Sequence, residues 1–65
     1  MILNGVVALR FVREKETLNT MRYKEAPLPG EPAVVGSMYL RKDAYEALGE
    51  PVVLSVMIEA AGAAE

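Results

Sequence analysis

The stretch "KETLNTMRYKE", residues 15–25, lies between two apolar runs, and its reading decides the fold. Its charge and its Thr content suit a surface loop. Met21 and Tyr23, however, alternate with polar neighbours, and a period of two is the mark of a strand with one wet face. We therefore predict a strand over 17–24. Thr17, Asn19, Met21 and Tyr23 point inward, and Leu18, Thr20, Arg22 and Lys24 point out.

Upstream, "ILNGVVALRFVR" (2–13) is too apolar for a surface helix and fits strand alternation. Leu3, Val7, Leu9 and Phe11 form one face. Ile2, Val6, Ala8, Arg10 and Val12 form the other, and Gly5 suggests a bulge. "REKE" (13–16) reads as a charged turn without Asn-Gly or Asp-Gly. A two-residue loop at Glu14-Lys15 would set Leu18, Thr20 and Arg22 beside Phe11 and Leu9. A three-residue loop, Glu14 to Glu16, instead aligns Leu9 with Met21 and Val7 with Tyr23, and the hydrophobic pattern favours it.

Downstream, "APLPGEP" (26–32) is a loop by composition, because proline has no N–H for a ladder. "AVVGSMYLRK" (33–42) is a third strand, with Gly36, Met38 and Leu40 on one face and Val35, Ser37, Tyr39 and Arg41 on the other. "KDAYEALGE" (42–50) breaks the alternation and predicts a short helix, with Asp43 as N-cap and Gly49 at C′. "VVLSVMIE" (52–59) is a fourth strand with Val52, Leu54, Val56 and Ile58 on one side. "AAGAAE" (60–65) reads as a flexible tail. The expected fold class is thus all-β. A single domain over 1–59 has four mainly antiparallel strands in the order β-β-β-(short helix)-β.

The ten residues Val7, Leu9, Phe11, Met21, Tyr23, Met38, Leu40, Leu54, Val56 and Ile58 share one apolar face. One helical turn cannot cover it, and a chain of 65 residues buries only about 60% of its extended surface. Small scaffolds add a staple, but there is no Cys and no His, so neither a disulfide nor a zinc site offers one. The expected cover is a second copy of the sheet, in a homodimer or higher oligomer, as a β-sandwich or a swapped barrel. No basic segment followed by a long apolar run suggests export, so the expected location is cytoplasmic and away from membranes.

The same composition argues against catalysis. The carboxylate pairs Glu14/Glu16 and Glu46/Glu50 lack the apolar enclosure that general acid work requires. Ser37, Ser55, Thr17 and Thr20 have no His to activate them, and only a Ser–Lys arrangement is formally open. "GEPAVVG" (30–36) lacks the helix and Lys-Ser/Thr of a phosphate loop. The expected protein is no enzyme and takes no cofactor or metal. Net charge is −2, yet all seven Lys and Arg lie in residues 1–42, where four Glu leave a net of +3. Residues 43–65 carry −5. Such polarity serves head-to-tail docking or a weakly basic face, or arises by chance in so short a chain.

The candidate binding residues are Arg10, Leu18, Arg22, Lys24, Tyr39 and Arg41, on an outer face that also carries Val12 and Met57. Arg10 and Arg22, on adjacent strands, are expected near each other. Basic groups around an aromatic can hold a nucleic-acid backbone and stack a base. The plainer alternative is an ordinary outer face with cross-strand Arg–Glu pairs.

Two resemblances bear on function. "RKDAYEALG" (41–49), within 36–58, resembles the helical turn and Leu-Gly end of AbrB-type swapped-hairpin proteins. Arg41 stands where that family has proline, and Glu50-Pro51 replaces its Gly-Asp turn. This resemblance implies a DNA-binding transcriptional regulator or antitoxin, with Arg10, Arg13, Arg22 and Arg41 as phosphate contacts. Across the whole chain, "KETLNTMRY" (15–23), "VGSMYLRKDA" (35–44) and "LSVMIE" (54–59) resemble small uncharacterised β-proteins of high-GC actinobacteria or their phages. The functional expectation is a non-enzymatic binding or assembly module acting as a homo-oligomer, with a protein or nucleic-acid partner. A DNA-binding regulator and a structural component of a phage or larger complex are the alternatives.

Overall fold

The computed structural model describes residues 2–62, and for Leu3 its backbone alone. Five strands and one helix follow in the order β1 (Ile2–Leu3), β2 (Val6–Glu16), β3 (Thr20–Glu25), β4 (Ser37–Arg41), α1 (Lys42–Ala47) and β5 (Val53–Glu59). All pairings are antiparallel. β2 is the hub. One edge takes β5 over Val6–Val12, and the other takes β1 at Val6–Val7 and β3 from Phe11 onward. β4 completes the sheet beyond β3. The four principal strands and the short helix have the order expected from sequence. Ala60–Gly62 follow β5 outside any strand, and the rest of the expected tail lies outside the described residues.

Four local expectations are corrected. Residues 2–13 are not one strand with a bulge. Asn4 (φ 49°) and Gly5 (φ 80°) form a two-residue turn between Leu3 and Val6, the type I′ geometry that Asn-Gly favours because both residues need positive φ. "REKE" is not the hairpin turn. β2 runs on to Glu16, and the chain reverses at 17–19. There the Thr17 N–H donates to the Thr20 carbonyl (2.8 Å), the Thr20 N–H donates to Thr17 Oγ1 (3.0 Å), and the two hydroxyls contact each other. Phe11 therefore faces Glu25, and Arg13 faces Tyr23, in place of Leu9 with Met21 and Val7 with Tyr23. A bulge between Arg13 and Lys15 then shifts the register by one. Asn19, expected inward, lies exposed in the turn. The third strand begins at Ser37 rather than 33.

The inner face is otherwise as the alternation predicts. Leu9, Phe11, Met21, Tyr23 and Leu54 are buried, with Phe11 and Tyr23 both at 0% exposure. Val7, Met38, Leu40 and Val56 pack against them half-buried, while Ile58 remains 41% exposed. Among the described residues, the one buried side chain from outside the sheet is Tyr45, carried by α1. Arg41, not Asp43, holds the N-cap position, and no side chain caps the helix. Asp43 sits in the first turn and accepts the Ala44 N–H (2.8 Å). The C-terminal expectation holds. Gly49 (φ 86°) donates to the Glu46 carbonyl and Glu50 to that of Tyr45, the paired bonds of a Schellman motif.

Two tyrosines fasten the connection from α1 to β5. Tyr23 Oη donates to the Pro51 carbonyl (2.7 Å), and Arg13 Nη1 donates to Tyr45 Oη (2.6 Å). Arg13 also donates its backbone N–H to Val52 (2.8 Å). Burial pushes the Tyr23 phenol above its ordinary range, with the Tyr45 phenol adding to the shift and Arg13 opposing it. Tyr23→Phe keeps the packing but orphans the Pro51 carbonyl, so urea denaturation should show a loss of about 1–3 kcal/mol. An unchanged midpoint would mean the bond contributes nothing net.

Candidate binding surface

The outer face is assembled by cross-strand neighbours. Arg22 and Tyr39 face each other on β3 and β4, and the guanidinium carbon stands 5.8 Å from the ring centroid, within cation–π range. Glu14 Oε1 lies 3.0 Å from Arg22 Nε, an ion contact in which the Nε–H is not aimed at an acceptor. Lys24 sits between Val12 on β2 and Ser37 on β4. Arg10 faces Ser55 on β5. The expected neighbourhood of Arg10 and Arg22 is not formed. Arg22 faces Lys15, five residues further along β2 than Arg10. The longer β2 is the reason.

Charge pairing neutralises much of this surface. Besides Arg22 with Glu14, Arg41 Nη2 lies 3.4 Å from Asp43 Oδ2, and Lys42 pairs with Glu16. Glu14 and Glu16 are thus strand residues with basic partners rather than a carboxylate pair in a turn. The Lys42 hydrogen bond and charge hold the Glu16 carboxyl below its usual range. Arg10, Lys15 and Lys24 are the outer-face cations without a carboxylate partner among the described residues. Leu18 caps the 17–19 turn at 88% exposure, beside a small hollow shared with Asn19, Arg41 and Lys42. The candidate residues therefore divide. Arg22 and Tyr39 touch, and Leu18 and Arg41 border one hollow, while Arg10 and Lys24 stand on the β2/β3 half of the face.

A feature absent from the sequence reading is Glu25. It continues the inward parity of Met21 and Tyr23 and is only 6% exposed. Its carboxylate accepts three successive amides: Val34 (3.0 and 3.1 Å to its two oxygens), Val35 (2.8 Å) and Gly36 (3.0 Å). Such a run of N–H groups is an anion nest, here filled by the protein's own side chain. Gly36, at φ 93°, supplies the backbone conformation that a side chain would strain. The Gly36 amide, then that of Val35, and then Val34 pull the Glu25 carboxyl below its usual range against its burial. The signal was legible: the same alternation that buries Tyr23 buries the residue two further on.

By clamping 34–36, Glu25 shapes the Pro-rich loop. Between that loop and the β2 edge lies a groove of about 740 Å³, lined by Ile2, Leu9, Arg10, Pro27, Leu28 and Val34 among others. It fills the interval on β2 between the β1 and β3 pairings.

No protein-family model, curated protein or solved structure matches the chain. No helix among the described residues is long and apolar enough to cross a membrane. Among the same residues, no three carboxylates gather to hold a metal ion.

Glu25 gives a pH signature. Because its folded-state acidity is raised, its contribution is present above the ordinary carboxyl range and is lost as pH falls through the lowered value. Glu25→Gln should therefore lower the urea midpoint at pH 7, and the gap to the unmodified protein should close in acid. A gap of equal size at pH 7 and pH 3 would refute the clamp.

Proposed function

We propose that this chain is a non-enzymatic binding or assembly module that works as a homo-oligomer. The observation that carries the reading is surface. The chain exposes 5003 Å², whereas a self-sufficient monomer of 7.1 kDa exposes about 4,100 Å². The excess is close to the ~800 Å² that each partner contributes to a stable interface of ordinary size. The radius of gyration, 13.2 Å, points the same way against about 10.7 Å for a compact domain of 65 residues. Half-buried Val7, Val56, Met38 and Leu40 and exposed Ile58 make the inner face the part left under-covered.

The surface offered to another protein is the patch of Leu18, Arg22, Tyr39 and Arg41. Arg and Tyr, in contact at Arg22 and Tyr39, are residue types that dominate interface hot spots, and Arg41 leads from them to the hollow beside Leu18. The nucleic-acid reading rests on Arg10 and Lys24, but the paired state of Arg22, Arg41 and Lys42 and the net charge of −2 favour a protein partner. The resemblance to phage or actinobacterial β-proteins fits either a host complex or a particle as the setting.

Sedimentation equilibrium at micromolar concentration should report a dimer or larger species, and a monomer would overturn the reading. In a pull-down from the native host, Leu18→Asp should reduce capture of a protein partner at least tenfold without changing the oligomer. Binding to DNA that falls steeply with salt and is weakened by Arg22→Glu would instead favour the regulator reading.

A further inference from the structure

The two edges of the sheet differ in kind. β4 exposes a five-residue edge that ends in Arg41. β5 exposes a seven-residue edge, VLSVMIE, with no Lys, Arg or Pro and no break in its register with β2. Natural edge strands are normally blunted by such charges, prolines or bulges, because an open ladder invites another strand. β5 has only Glu59, at its end.

The geometry also states which groups are on offer. The Arg13 N–H donates to the Val52 carbonyl, and the β2–β5 register is uniform. Antiparallel pairs alternate, so Val52, Leu54, Val56 and Ile58 turn their backbone groups toward β2. Val53, Ser55, Met57 and Glu59 therefore turn theirs to the free edge, and no described residue pairs with that edge.

Resting on the homo-oligomer reading above, we propose that β5 pairs antiparallel with β5 of a second copy about a two-fold axis at Val56. The register sets Val53 opposite Glu59, Ser55 opposite Met57, Leu54 opposite Ile58, and Val56 opposite itself. The four residues with free backbone groups then pair only among themselves, giving about eight hydrogen bonds. Leu54 and Val56 already belong to the inner face, so Ile58 comes to lie beside Leu54 of the partner subunit and the two inner faces join. No like charges meet, because β5 has none in its interior. The contact is isologous and uses up both β5 edges, so it closes at two copies.

A cysteine tests the axis, since the chain has none of its own. Val56→Cys replaces a side chain by one of similar size at a pair whose Cα atoms would stand about 4.5 Å apart, within disulfide reach. Mild oxidation should convert nearly all of it to a covalent dimer, while Ile58→Cys, four residues from its own mate, stays uncrosslinked. Ser55→Pro removes an edge donor but no bond to β2, and should raise the dimer dissociation constant about a hundredfold with the circular dichroism of the sheet retained. A dimer that persists in Ser55→Pro, or a Val56→Cys that stays reduced while the protein still sediments as a dimer, refutes this interface and leaves the oligomer reading standing. A monomeric unmodified protein refutes both.

Discussion

The structure depends on β2 having strands on both edges, β5 over Val6–Val12 on one and β1 and β3 at the two ends of the other. That arrangement puts Phe11 under cover from β3 and β5 at once, and it is why this residue, with Tyr23 facing Arg13 two pairs further on, is fully buried in so small a chain. The helix adds one buried side chain, Tyr45, and the rest of its role is positional. Its Schellman end turns the chain through Gly49 and Glu50, and Arg13 and Tyr23 then fix the carbonyls and ring that lead into β5. The polar atoms of Arg13, Tyr23 and Tyr45 are thus paired at the margin of the core, where an unpaired buried group would cost about 1–3 kcal/mol.

Sequence periodicity carried the faces better than the pairings, for a simple reason. The predicted hairpin summed partner numbers to 30, and the observed one sums to 36 through Phe11, Val12 and Arg13. A shift by an even number leaves every side chain on its own face, whereas an odd shift would have turned the core outward. Hence all ten inner residues were legible although their partners were not. The turn was misplaced because charged "REKE" looked more like a loop than "TLN", whose Thr17 and Thr20 bonds become visible only once the strands are paired. Asn4-Gly5 was hidden inside an apolar run, where a single strand seemed to absorb it. Glu25 was missed because the expected strand stopped at 24, one residue short of the alternation that buries it, and patterning does not reveal its loop-amide partners.

On the outer face the misplaced turn also separated residues expected together. Extending β2 to Glu16 moved Arg22 away from Arg10 and gave it Glu14 and Tyr39 as companions. The register before the bulge would set Glu14 directly opposite Arg22; the bulge puts Lys15 there instead, and Glu14 stays within ion-pair reach. What looked in sequence like a basic strip is therefore a set of local pairs around an aromatic, with Leu18 at its rim. Exposed pairs of this sort add little stability. They do change the character of the face, because a pre-paired arginine presents a flat, partly neutralised surface.

The charge asymmetry of the chain then acquires a structural meaning. All seven cations precede position 43, so β5 alone among the long strands has no basic residue to guard its edge. Head-to-tail docking would match the positive half of one copy with the negative half of the next and would not terminate. Pairing β5 with itself needs no charge at all and stops at two. In the sheet order, β5 and the Leu18–Arg22–Tyr39 patch are separated by β2, so a β5-mediated dimer leaves that patch free on each copy. Two identical patches on one rigid sheet constitute a bivalent binder, whose second contact is made at the high effective concentration the first one creates. A dimer of that kind would gain avidity from its symmetry alone.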